Sequence, residues 1–391
     1  NLTEINGGKC NTEEDFYKAC RAASILGTLQ AGYTDFKFLT DTSKLIFDRE
    51  ALLGVSITGW MNNPDILFNE KILQKGAEIV KEVNREVAKV IKINPAARTT
   101  CVKPSGNASV LLQTASGIHA EHSDMYIRNV QMNKESEITQ AIMKTNPYMV
   151  EDSVWSAGGT DVVVSFPILP KKGSMYKDNL LGVKHLELVK KAQKYWVEAG
   201  TNEDLCADKG VRHNVSNTII VDDWDEVEKY VYENRDAFAG ISFLSMSGDK
   251  DYNQAPNTAV ITAKDMVKKY GNAAVFASGM VVDALKCFNN LWDACSTANG
   301  FGEDLSLESS ENAMKRDWIR RFGKFADNYL NSDSVQAEHC LKDAYLLHKW
   351  NKIQSTLKTV DWKEDIKERK YTDVDTLAAA ACAGGACEID F

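Results

Sequence analysis

No apolar run in this sequence approaches the roughly 20 residues a helix needs to cross a membrane, which argues against a membrane-spanning helix. The mean hydropathy of -0.32 agrees. A secretory leader is also missing, because the first residues include the polar Asn1, Thr3, Glu4 and Asn6 rather than a basic stretch followed by an apolar one. There is no initiator methionine, so the chain is expected to be a fragment, a cleaved product or one half of a split enzyme. Basic charge is short: 46 Lys and Arg stand against 55 Asp and Glu, for a net charge of -9. A general nucleic-acid binder needs a basic face to neutralise phosphates, so that class is excluded. A small phosphorylated ligand is not, since a local nest of backbone N–H groups can hold one in acidic surroundings. Tight cysteine spacing is mostly lacking too. Of nine cysteines, seven are scattered (Cys10, Cys20, Cys101, Cys206, Cys287, Cys295 and Cys340). This excludes a disulfide-stapled secreted fold and suits a reducing cytosol, so the expected location is cytoplasmic. No internal repeat is present.

What remains is a globular composition, 44% hydrophobic and 26% charged over 391 residues, enough for one large domain or two ordinary ones. Residues 12–32 open with Thr12-Glu13-Glu14-Asp15 and continue as a helix through Ala22, Ile25 and Leu29. Residues 52–58 read as a buried strand ending at Gly59. Apolar residues at helical spacing over 72–93 are stopped by Asn94-Pro95. Residues 99–103 read as a strand running into Pro104-Ser105-Gly106-Asn107. This alternation predicts a parallel α/β arrangement. Strands follow at 161–166, 215–221 and 240–244, and helices at 186–196 and 224–234. From Met266 to Trp350 the pattern is almost continuously helical. The predicted division is 1–260, a helical extension over 261–371, and a mobile tail over 372–391.

Three features carry chemistry. The segment Pro104-Ser105-Gly106-Asn107-Ala108-Ser109 lies where a strand gives way to an apolar helix. Small residues there leave backbone N–H groups approachable, and the helix dipole favours an anion. The alternative is an ordinary cap, with Ser105 or Ser109 satisfying the first turn. Near the terminus, Cys382 and Cys387 are separated by Ala-Gly-Gly-Ala. Two thiols so spaced can fold back to the ~4.4–6.8 Å between Cα atoms that a disulfide requires, and a flexible tail can carry them between partners by thiol–disulfide exchange. Metal binding usually wants four ligands, and two inert tail cysteines are the remaining alternative. His119 and His122, with Glu121 and Asp124 nearby, have the look of metal ligands, but no third ligand stands out. They are read as polar residues at a pocket rim, with no metal expected.

Several stretches together match one family. Asn1-Leu2-Thr3-Glu4-Ile5-Asn6 resembles the sequence after a cysteine in the active-site hairpin of the adenosylcobalamin-dependent (class II) ribonucleotide reductases. Ala23-Ser24-Ile25-Leu26-Gly27-Thr28-Leu29-Gln30-Ala31-Gly32-Tyr33 resembles the helix that follows it, and Gly54-Val55-Ser56-Ile57-Thr58-Gly59 the next turn. Thr100-Cys101-Val102-Lys103 with Ser105, Gly106, Asn107, Ala108 and Ser109 resembles the family's substrate-phosphate loop. The order continues through Ser116-Gly117-Ile118-His119, Tyr126-Ile127-Arg128, His213-Asn214-Val215-Ser216, Tyr232-Glu233-Asn234-Arg235, Gly240-Ile241-Ser242-Phe243-Leu244 and Gln254-Ala255-Pro256. The terminal cysteine pair closes the set.

The resemblance implies the second half of a ten-stranded α/β barrel, of the monomeric triphosphate-reductase type, with a helical C-terminal extension. The implied reaction turns ribonucleoside triphosphates into deoxyribonucleoside triphosphates for DNA replication. In it, a cobalamin-initiated thiyl radical abstracts hydrogen from the ribose and cysteines supply the electrons. Carried onto this chain, Ser105 to Ser109 hold substrate phosphates and Cys382 and Cys387 form the shuttle dithiol. His119, Tyr126, Arg128 and His213 are candidates to face adenosylcobalamin. Implied partners are an N-terminal half carrying the radical cysteine and a thioredoxin-like reductant. The sequence departs from the family where Asn1-Leu2-Thr3-Glu4 mimics its Asn-x-Cys-x-Glu motif, since Thr3 stands in place of the thiol. Two alternatives stand beside this reading: the large subunit of an iron-dependent reductase, and a non-catalytic nucleotide-binding module.

Overall fold

The computed structural model describes residues 1–246, 254–270 and 335–362. Its chain divides into two compact units: one of residues 1–124 with 169–250, the other of 125–168 with 251–391. This partition differs from a single cut near residue 260, because the second unit begins as an insertion into the first. The tail over 372–391 and residues 271–334 of the helical extension lie outside the described residues.

The first unit is built on parallel pairing. Strand β1 (Leu2–Asn6) runs parallel to β2 (Gly54–Thr58), with Leu2 opposite Gly54 and Asn6 opposite Thr58. A parallel bridge joins Val55 to Thr100, and another joins Val102 to Val215. Strand β6 (Thr218–Val221) then runs parallel to β7 (Ser242–Ser245). Five extended segments therefore follow one another in chain order, each parallel to the last. The predicted strand at 99–103 is thus present as bridged extended chain. Its ladder stops where the Lys103 N–H donates 2.9 Å to the Ser56 hydroxyl in place of a backbone carbonyl.

Helices supply the crossovers that parallel strands require. Helix α1 (Glu13–Ala31) starts at a complete capping box. Asp15 N–H donates to Thr12 Oγ1 at 3.1 Å, and Thr12 N–H returns to Asp15 Oδ2 at 3.0 Å. Three acidic residues in the first turn also suit the helix dipole. Helix α2 (Asp41–Glu50) and the single turn α3 (Pro64–Leu67) flank β2. Helix α4 (Glu70–Ile91) is capped by Asn69 and packs on α1. The two approach closely because Gly76 faces Phe16: a Cβ there would come within 2.5 Å of the ring. Buried polar groups tie the same pair, with Ser24 Oγ donating to Val80 O at 2.8 Å and Asn84 Nδ2 to Thr28 Oγ1 at 2.8 Å. Helix α7 (Gly182–Ala192) runs on into a wider turn over Gln193–Glu198, and its Trp196 ring sits 5.8 Å from that of Phe16. Helix α8 (Trp224–Glu233) connects β6 to β7. Phe16, Leu53, Val55, Ile57, Leu73, Val80, Leu186 and Trp196 belong to one buried cluster.

The second unit holds an antiparallel sheet in the order β4-β5-β3-β8, formed by β3 (Tyr126–Asn133), β4 (Val150–Asp152), β5 (Asp161–Ile168) and β8 (Asn257–Ala259). The strand expected at 161–166 is real, but it pairs antiparallel along all eight residues of β3 rather than extending the parallel run. Helices α6 (Glu137–Thr145), α9 (Ala263–Tyr270) and α10 (Val335–Thr356) complete this unit. Ile142, Met149, Val162, Val164 and Ile353 form one buried cluster in it.

Candidate active site

The third extended segment of the first unit delivers the chain into Lys103-Pro104-Ser105 and then helix α5 (Gly106–Leu112). Ser105 takes the left-handed conformation, with φ 55° and ψ 37°, and is buried. Its hydroxyl caps nothing and forms no hydrogen bond of normal geometry. The Ser109 hydroxyl donates instead to Gly106 O at 3.0 Å, and the first bond of the helix runs from Ser109 N–H to Ser105 O. Neither serine therefore satisfies the leading N–H groups of α5, which is the point on which the cap and anion readings divide. Gly106 stands in open space, and Gly106 and Asn107 are exposed while Ala108 is half-buried and Ser109 buried.

The segment that leaves α5 is laced to β2 and the turn after it. Thr58 Oγ1 donates to Ala115 O at 2.9 Å and accepts from Gly117 N–H at 2.9 Å. Buried Asn62 accepts on Oδ1 from Thr114 Oγ1 and Ala115 N–H, both at 2.6 Å. Its Nδ2 donates to Glu121 Oε1 at 2.7 Å and to Ser174 Oγ at 3.0 Å. Gly117 has φ +52°, and a Cβ there would lie 2.5 Å from Lys103 O, so only glycine lets this turn close against the loop,. Neither Asn62 nor Thr58 was predicted from sequence. Their partners lie about fifty residues away or more, and no local pattern reports such a contact.

A cavity of about 290 Å3 opens beside this loop, lined in part by Leu2, Leu53, Gly54, Cys101, Lys103 and His213. Burial pushes the Cys101 thiol up to about 12, against the nearby Lys103 ammonium, which favours its thiolate. His213 Nδ1 lies 3.0 Å from Thr100 O, and burial holds its imidazole below the usual range.

His119 and His213 belong to the first unit, Tyr126 and Arg128 to the second. His119 is half-buried, with Nδ1 2.9 Å from Ser116 O and its ring 6.3 Å from that of His185. Burial lowers the pKa of both rings, that of His185 to about 4. His122 Nδ1 lies 3.4 Å from Lys177 Nζ. Tyr126 is 2% exposed in the middle of the β5-β3-β8 pairing, and Arg128 Nη2 donates to its hydroxyl at 3.4 Å. The cavity beside His213 is at the lower limit of ordinary ligand pockets and is too small for a corrin,. Cys382 and Cys387 lie outside the described residues. Among the described residues no three His, Cys, Asp or Glu side chains gather as metal ligands, and no helix is long and apolar enough to cross a membrane.

No protein-family model matches the chain. Among curated proteins it is 28% identical over 191 residues to a probable adenosylcobalamin-dependent ribonucleoside-triphosphate reductase of Dictyostelium discoideum, covering 47% of this chain and 24% of that protein. It is 23% identical over 273 residues to an adenosylcobalamin-dependent ribonucleoside-triphosphate reductase of Euglena gracilis, covering 66% of this chain and 34% of that one. A solved B-12 dependent (class II) ribonucleotide reductase superposes with a TM-score of 0.55 at 17% identity, over 68% of this chain and 39% of its own. The chain thus spans between a quarter and a third of the length of the curated relatives it matches. By sequence and by fold, it is similar to part of the adenosylcobalamin-dependent ribonucleotide reductases.

Proposed function

We propose that this chain is the C-terminal part of an adenosylcobalamin-dependent ribonucleoside-triphosphate reductase, acting together with the length of such enzymes that it does not span. The observation that carries this reading is the uncapped start of α5, set at the end of the third of five parallel segments in a chain similar to two curated reductases. The five segments are read as one half of a ten-stranded barrel. Ser105, Gly106, Asn107, Ala108 and Ser109 are the phosphate seat. The Gly106 side is open to a ligand, the leading N–H groups of α5 are donors, and the helix dipole adds partial positive charge,. Lys103, half-buried and two residues before the seat in the chain, offsets the charge of a triphosphate,.

Adenosylcobalamin, when bound, supplies the initiating radical for a cysteine of the N-terminal half. No contact with it is assigned to a residue of this chain. Cys382 and Cys387 are read as the dithiol that carries electrons from a thioredoxin-like reductant.

The test is anaerobic CTP reduction by this chain, alone and with a polypeptide supplying the preceding part, each with and without adenosylcobalamin. Deoxy-product only in the mixture with adenosylcobalamin is the expected result. Stable association of the two polypeptides with no product under any condition would refute the reading, and would favour a nucleotide-binding module without chemistry.

A further inference from the structure

Strand β1 carries two polar side chains, Glu4 and Asn6, that reach opposite ends of the loop and helix following the third segment. Asn6 Nδ2 donates 3.0 Å to Leu112 O, the last carbonyl of α5. Glu4 lies at the other end. The Lys103 N–H donates to Ser56 Oγ at 2.9 Å, and the Ser56 hydroxyl donates in turn to Glu4 Oε1 at 3.2 Å. Ser56, the middle of this relay, is fully buried, while Glu4 and Lys103 at its ends are half-buried. Ser105, 8% exposed, keeps a buried hydroxyl without a hydrogen-bond partner of normal geometry near the same carboxyl. The left-handed backbone of Ser105 is a strained position for a residue with a Cβ, and something must hold it there,.

We propose that Glu4 is a positioning residue for the phosphate seat, fixing the backbone at Lys103, where the loop begins, through Ser56. The proposal rests on the reading of residues 105–109 given above. It has a consequence in charge. An anion arriving at the loop is repelled by an ionised Glu4 and accepted beside a neutral one. Burial already pushes the Glu4 carboxyl up, against the hydroxyls of Ser105 and Ser56 and the Lys103 ammonium, which favour ionisation. The other titratable group facing Glu4 is the Cys101 thiol, which burial keeps neutral; β2 contributes only the uncharged Ser56. Anion binding therefore takes up part of a proton at Glu4. The affinity of the seat falls as pH rises.

Sulfate is the appropriate probe, because its own charge is constant between about pH 5 and about pH 8. Its affinity for the full chain is measured by calorimetry across that range for wild type, Glu4→Gln and Glu4→Ala. If binding raises the Glu4 pKa by one unit, wild-type affinity falls by up to about tenfold as pH rises. Glu4→Gln keeps the Ser56 hydrogen bond without the charge, so its affinity should not fall with pH. Glu4→Ala removes the tether as well as the charge and should bind more weakly than Glu4→Gln at every pH. Binding by Glu4→Ala that matches Glu4→Gln overturns the positioning role while leaving the phosphate seat intact, and a Glu4→Gln profile that falls with pH as wild type does overturns the consequence in charge. Failure of the wild type to bind sulfate at any pH overturns the seat and, with it, the role of Glu4.

Discussion

Arg98 stands at the entry to the third parallel segment, five residues before the loop that carries the proposed phosphate seat. Its guanidinium holds three places at once: Nη1 donates to Glu50 Oε2 at 2.8 Å, Nε to Val211 O at 2.9 Å, and Nη2 to Asp208 O at 3.1 Å. Both side chains of the ion pair are close to fully buried, at 7% and 10% exposure, and Arg49 adds a second donor to Glu50 at 2.9 Å. Replacing Arg98 by Met leaves Glu50 with one half-exposed partner and orphans two carbonyls. Breaking a buried pair from one side costs about 3–5 kcal/mol. At about 2–4 °C per kcal/mol for a unit of this size, the midpoint of thermal unfolding should drop by about 6–20 °C. A double-mutant cycle with Glu50→Gln should give a coupling above about 1 kcal/mol, since the residues share one network. The pair also sets an acid limit. Burial pushes the Glu50 carboxyl up, but the hydrogen bonds from Arg49 and Arg98 outweigh it and hold its pKa below the ordinary 4.5. The folded state therefore binds fewer protons there than the unfolded chain. Its stabilising share is present above pH 4.5 and is lost as pH falls through the lowered value. Urea unfolding at neutral pH, with both single variants and the double, measures the cost and the coupling; thermal scans give the midpoint, and repeating the titrations down through pH 4.5 tests the acid limit. Independent, additive effects of the two substitutions would refute the reasoning.

Two further outcomes are expected. Gly117→Ala places a Cβ against Lys103 O at a positive φ, so it should cost about 1–3 kcal/mol in denaturant unfolding and weaken sulfate binding at the neighbouring loop. His185, kept neutral by burial with a pKa of about 4, is protonated more readily in the unfolded chain. Its share of stability is present above about pH 6.5 and is lost as pH falls toward 4. Between pH 7 and pH 5 the loss is about 2 kcal/mol; urea midpoints for wild type and His185→Gln should show the variant losing markedly less.

Features whose cause lies within a few residues were legible in the sequence. The capping box of Thr12 and Asp15, the long amphipathic α4 and the strand–loop–helix through Ser105 all follow from local pattern. Strand β1 was not recognised as a strand, because Thr3, Glu4 and Asn6 break the apolar run that marks a buried one. Strand β3 was hidden in the same way by Arg128, Asn129, Gln131 and Asn133. Strand β5 was seen, but its partner was not, since the pairing of Asp161 with Asn133 depends on a hairpin-like return that no local residue announces. For the candidate site, the sequence marked residues 105–109 and His213. It gave no sign of Asn62, Thr58 or the Glu4–Ser56 relay.

The sequence by itself determined the long helices, the parallel α/β character, the small-residue loop and the similarity to cobalamin-dependent reductases, because helix periods, caps and ordered motifs are properties of neighbouring residues. Only the tertiary structure decided that β5 belongs to an antiparallel inserted sheet, and which residues of the five parallel segments lie opposite one another. It also decided that Ser105 stands uncapped beside the carboxyl of Glu4. Those outcomes depend on groups fifty to a hundred residues apart meeting in a buried setting. There, each polar atom must find a partner or wait for a ligand.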